Sequence, residues 1–190
     1  MHSSTEETSA VRVLIRAHQP EPPNASEVGL FVFDFDSLYE LVRLSVDPKY
    51  ADFNFTRFAL YRNAKRVDAD DKMYVRLLRL ASPLEMASTI AVYAGAAASV
   101  SATLWVLVQA FERMYNLKLN REKLQLEIQK LKRDLSADSK DLMEPDAIDV
   151  METLEERGAR EYLETVEKRL ARSAIQIEEV IIEIALKGQR

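Results

Sequence analysis

In "VRVLIRA", Val11, Val13 and Ile15 alternate with Arg12 and Arg16, the period of a strand with one buried face. A Pro-rich turn, "HQPEPPNAS", follows. "EVGLFVF" then reads as a second strand and "DFDSLYELVRLSV" as a helix. Asp36 or Ser37 can cap that helix, and Leu38, Leu41, Val42 and Ser45 share one face. "TRFALYRN", with Phe58 and Leu60 alternating against Arg57, Ala59 and Tyr61, predicts a third strand. "KMYVRLLRLA" predicts a fourth, with Arg76 and Arg79 at its surface. Residues 1–10 are polar and expected to be disordered, and residues 11–81 to form a small α+β domain of about four strands and one helix.

"SPLE" changes the pattern. Ser82 suits a helix N-cap, Pro83 the first helical position and Glu85 the third, so the tetrad predicts a capping box. From there a long helix over 82–135 is expected, apolar over 82–111 and heptad-spaced over 107–135. The spacing of Leu107, Met114, Leu117, Leu124, Ile128, Leu131 and Leu135 is that of a coiled coil. A polar linker at 136–146 precedes a C-terminal helical region, 147–190, whose apolar face carries Leu154, Tyr162, Leu163, Val166 and Leu170. The tail over 175–184, rich in isoleucine, favours a strand by propensity, and a helix with Ile177, Val180, Ile181 and Ile184 on one face is the alternative; a strand there needs a partner.

Met86 to Phe111 contains no charged residue. As one helix it would be about 39 Å long at 1.5 Å per residue, enough for a bilayer core. Ala91, Gly95, Ser99 and Thr103 recur at four-residue intervals, a small-residue stripe that lets helices approach closely, and Trp105 suits an interface. The pattern predicts a membrane segment that also assembles with copies of itself. A soluble assembly helix is the alternative.

The net charge of −5 gives no electrostatic footprint for nucleic acid. The absence of cysteine excludes thiol chemistry; with only His2 and His18, both in polar N-terminal sequence, no histidine-based metal or catalytic centre and no cofactor is expected. "MHSSTEETSA" lacks the basic start and apolar core of a cleavable signal. "LFVFDFDS" resembles the strand that presents the aspartates of haloacid-dehalogenase-type phosphatases, which would make Asp34 a nucleophile and Asp36 an acid/base. No glycine follows Asp36 where that pattern has one, and Asp36 as a helix cap accounts for the residue. "DADD" (68–71) lacks a calcium loop's glycine and reads as a solvated turn.

"DSLYELVRLSVDPKY" and "ALYRNAKRVDADDKMYVRLLRLASPLE", with the apolar helix after them, resemble a group of uncharacterised bacterial proteins. In these a small N-terminal domain ends in "SPLE" and runs into an apolar, then charged, helical region. The resemblance implies a bacterial, membrane-associated protein and carries no activity. The sequence therefore predicts a membrane-anchored, homo-oligomeric interaction or effector protein, with a pore lined by Ser99, Ser101 and Thr103 as one variant. A cytoplasmic coiled-coil scaffold and an Asp34/Asp36 enzyme are the alternatives.

Overall fold

The computed structural model describes residues 9–18, 21–55, 67–81, 83–92, 97–115, 152 and 154–185. The chain forms β1 (Ser9–His18), α1 (Ala25–Val46), β2 (Met73–Arg79), β3 (Leu84–Val92), α2 (Ala97–Tyr115), α3 (Arg160–Ala171) and β4 (Gln176–Ala185). Short 3-10 turns occupy Pro48–Tyr50 and Ala69–Asp71. The fold is α+β, with one antiparallel sheet in the order β2-β3-β1-β4.

The alternation read in β1 holds. Val11, Val13, Ile15 and Ala17 are buried, opposite Ile90, Ser88, Met86 and Leu84 of β3 and in register with Ile182 and Val180 of β4. Between them, Arg12 and Arg16 face outward and reach Glu183 (3.7 Å) and Glu179 (2.8 Å). Arg16 also binds Glu85 at 3.2 Å, tying three strands together. The buried face packs with the helices into one core. The C-terminal segment is a strand, as its isoleucines favour, and its partner is β1 of the same chain. Strands from opposite ends of the described chain thus share one sheet.

The strand expected at residues 27–33 is instead the first half of α1. Asn24 accepts a hydrogen bond from the Glu27 N–H, and the Glu27 carboxylate accepts from the Asn24 N–H, a reciprocal box that starts the helix. The cap is therefore Asn24, neither Asp36 nor Ser37. Val28, Phe31, Phe35, Leu38 and Leu41 recur at three and four and are buried. Phe35 stacks between Phe31 (6.5 Å) and Phe111 of α2 (5.6 Å).

The helix expected from "SPLE" does not start there. Leu84 opens β3, Pro83 lies in the turn from β2, and Glu85 is a strand residue; Ser82 lies outside the described residues. A capping box is a local signal, and a central strand hydrogen-bonded on both sides by β1 and β2 outweighs it. The long helix of 82–135 and its stripe are corrected accordingly. Ala91 sits in β3, Gly95 is outside the described residues, and Ser99, Thr103 and half-buried Trp105 sit in α2.

The membrane span is contradicted too: among the described residues no helix is long and apolar enough to cross a bilayer. The uncharged run is divided between a sheet strand and α2, whose Val100, Leu104, Leu107, Ala110 and Phe111 are core residues. The coiled-coil positions Leu107 and Met114 lie on α2, buried and half-buried. Leu117, Leu124, Ile128, Leu131 and Leu135, the linker 136–146 and the expected strand at 56–63 lie outside the described residues. Residues 9 and 10, expected to be disordered, begin β1. In the C-terminal region Gly158, at φ 68°, sets the boundary before α3; of the predicted face Leu154, Leu163, Val166 and Leu170 are buried and Tyr162 is half-buried against them.

Candidate functional site

Two assemblies of side chains stand out, one polar and one apolar. The polar one centres on Asp71, which is buried and not the solvated turn residue its sequence context suggests. Its Oδ1 accepts from Arg43 Nη2 (2.9 Å), and its Oδ2 accepts from Lys49 Nζ (2.7 Å) and the Tyr50 hydroxyl (2.6 Å). The Tyr39 hydroxyl donates to its carbonyl at 2.6 Å. Arg43, 1% exposed, also pairs with Asp47 at 2.8 Å and donates to Ser99 Oγ at 3.0 Å.

This geometry shifts four of its titratable groups. Burial pushes the Asp71 carboxyl up, but hydrogen bonds from Lys49, Tyr50 and Arg43 outweigh it and leave it below the ordinary value. Burial, aided by the hydrogen bond to Asp71, pushes the Tyr50 phenol up to about 12. Burial also drives Tyr39 well above its usual range. Hydrogen bonds to Asp68 and Asp71 raise Lys49. None of these shifts moves a group towards neutral pH, where a general acid or base works best. The cluster joins the end of α1 to the turn that leads into β2.

Arg157 makes a second clamp. Its guanidinium donates to the carbonyls of Leu44 (2.8 Å), Tyr50 (2.6 Å) and Ala51 (3.1 Å), and sits 4.6 Å from the centre of the Phe55 ring. It satisfies acceptors that the C-terminus of a helix leaves open.

The premise of the Asp-x-Asp reading does not hold, because Asp34 and Asp36 lie within a helix and not at a strand tip. Asp34 is buried and paired with Arg169 of α3 at 2.8 Å.

The apolar assembly lies where those polar clamps place β2. β2 is hydrogen-bonded on one side by β3, and among the described residues nothing pairs with its other side. Arg76 and Arg79 are exposed, as the sequence predicts, but so are Tyr74 (42%), Val75 (41%), Leu77 (47%), Leu78 and Leu80. Their register shows why both faces contribute. Tyr74 and Leu77 lie opposite Thr89 and Ala87 on the outer face, while Val75 and Leu78 lie opposite Ser88 and Met86 on the inner face.

The inner pair borders an open groove of about 620 Å³ whose other wall is the start of α1, with Gly29, Val32 and Phe33. Leu30 on the same helix is 63% exposed. A Cβ at Gly29 would meet nothing within 4 Å, so this wall is recessed. Sequence reasoning missed the groove. Its signal was present in "MYVRLLRL", where apolar residues occupy both strand faces, more than a one-sided strand needs.

Comparison with protein-family models, curated proteins and solved structures returns no match.

Proposed function

We propose that this chain is an oligomeric interaction module whose working surface is the free edge of β2 together with the groove beside α1. The observation that carries this is the set of exposed apolar residues Tyr74, Val75, Leu77, Leu78 and Leu80 on and just after an edge strand, beside a recessed helix wall. An edge strand offers unpaired N–H and C=O groups, and soluble folds ordinarily blunt such edges with charge or cover them. Here two arginines punctuate the edge and five large apolar side chains remain. Strand addition supplies main-chain hydrogen bonds, and alternate side chains select the partner. The heptad-spaced leucines and isoleucine from Leu117 to Leu135 support association from sequence alone.

Filling the groove tests the reading without weakening the fold. Gly29→Leu adds a side chain into open space and removes a mid-helix glycine, which favours the helix by about 1 kcal/mol. The wild-type chain is expected to sediment above 21.7 kDa in detergent-free buffer, and Gly29→Leu to shift it towards that mass with an unchanged or raised melting temperature. A wild-type chain that stays at 21.7 kDa at every concentration, or a variant of unaltered size, contradicts the proposal.

A further inference from the structure

We infer that the occupant of the β2 edge is β4 of a second copy of this chain, joined head to tail so that the two sheets become one. This rests on the self-assembly reading above and specifies which surfaces meet. The four strands alternate in direction across β2-β3-β1-β4, so β2 and β4 at the two rims run oppositely. Copies placed side by side in the same orientation therefore bring β2 against an antiparallel β4, and the alternation continues without a break.

Charge selects this pairing over pairing of like edges. β2 carries Arg76 and Arg79 and no acidic residue, whereas β4 carries Glu178, Glu179 and Glu183 and no basic residue. Arg79, Glu179 and Glu183 have side chains 67%, 48% and 53% exposed. Two β2 edges would bring arginines together, and two β4 edges would bring glutamates together. Like charges across a strand pair destabilise it, and opposite charges favour it.

A single register satisfies both faces. With Arg79 opposite Glu179 of the second copy, Leu77 meets its Ile181 on the outer face and Leu78 meets its Val180 on the inner face. The irregularity of β2 between Val75 and Leu77 shifts the remainder by one residue. Val75 then faces Ile182 of the second copy, and Tyr74 and Arg76 flank its Glu183. Glu179 and Glu183 keep their contacts to Arg16 and Arg12 within their own copy, and each gains a second cationic or aromatic neighbour. Head-to-tail contacts are heterologous, so the assembly grows as a ring or an open filament and does not stop at a two-fold dimer.

Charge exchange between two variants tests this in sedimentation velocity. Arg76→Glu/Arg79→Glu makes both rims acidic, and Glu179→Lys/Glu183→Lys makes both rims basic. Each variant alone is expected at 21.7 kDa. An equimolar mixture restores opposite charges at every junction and is expected to regain the wild-type size distribution, which two misfolded chains could not do. If the β4 variant alone keeps the wild-type size, or the mixture stays monomeric, the β2–β4 pairing is overturned while self-assembly through β2 stands. If the wild-type chain is itself monomeric, or the β2 variant assembles unchanged, the self-assembly reading falls and this inference with it.

Discussion

Arg43→Met is expected to cost about 3–5 kcal/mol of folding stability, the usual penalty for removing one partner of a buried ion pair. Arg43 is 1% exposed and holds both Asp47 and Asp71, so the substitution leaves two carboxylates in the interior without their shared cation. Against a total stability of roughly 5–15 kcal/mol for a domain, this is a large fraction. Replacing both members of the other pair, in Arg43→Met/Asp47→Asn, is expected to recover part of the loss: Asp71 keeps Lys49 and Tyr50, and the charge that Arg43 balances at position 47 is removed.

The pH dependence carries the same signature. A carboxylate whose folded pKa is depressed contributes stability that is fully present above its unfolded value and is lost as pH falls through the folded one. For Asp71 that loss is expected below the ordinary value of 3.8, and Arg43→Met, by removing one of the depressing contacts, moves the acid-unfolding midpoint upward. Urea melts across pH 2 to 7 check both statements. An Arg43→Met variant as stable as wild type, with an unmoved acid midpoint, would show that the cluster does not anchor the turn.

Phe111→Ala is the second large effect. Phe111 is 1% exposed and stacks on Phe35 at 5.6 Å, at the junction of α2 with α1. Truncating a buried Phe to Ala costs about 3–5 kcal/mol, through lost transfer energy and the cavity left behind. In a chain of this size that lowers the melting temperature by roughly 6–20 °C. The contrast is with a side chain facing lipid, whose truncation would not open a cavity in the folded core. A change below 1 kcal/mol, measured by urea denaturation with an unchanged slope, would contradict the placement of α2 in the core.

Both variants bear on why the sequence was legible in some places and misleading in others. β1 is readable because the alternation of Val11, Val13 and Ile15 points to one state, and in β4 the β-branched content from Ile177 to Ile184 tips the balance between strand and helix. Residues 27–33 misled because "EVGLFVF" satisfies two periods at once. The cap that decides between them, Asn24 with Glu27, sits behind two prolines and reads locally as part of the turn. "SPLE" misled in the opposite way, offering a complete local helix signal at a position where Glu85 instead pairs with Arg16 across the sheet.

The lack of charge from Met86 to Phe111 has a non-local cause as well. The first part is a strand with sheet neighbours on both sides, and the second is a helix buried beneath the sheet. Hydropathy records burial in either setting and does not name the surroundings. The buried network around Asp71 is illegible for a similar reason: Asp71 reads as part of a solvated turn, and nothing local links it to Tyr39, Arg43 and Tyr50 until α1 and the turn before β2 are brought together.

The β2 edge is the surface on which the functional account depends, and amide hydrogen exchange reads it directly. Exchange rates of residues 73–79 in the full-length chain, followed over a dilution series, report whether the strand gains a partner between molecules. The account predicts that β2 and β4 amides become more protected together as concentration rises, while those of β1 and β3 stay unchanged. Protection of β2 that does not vary with concentration would contradict it.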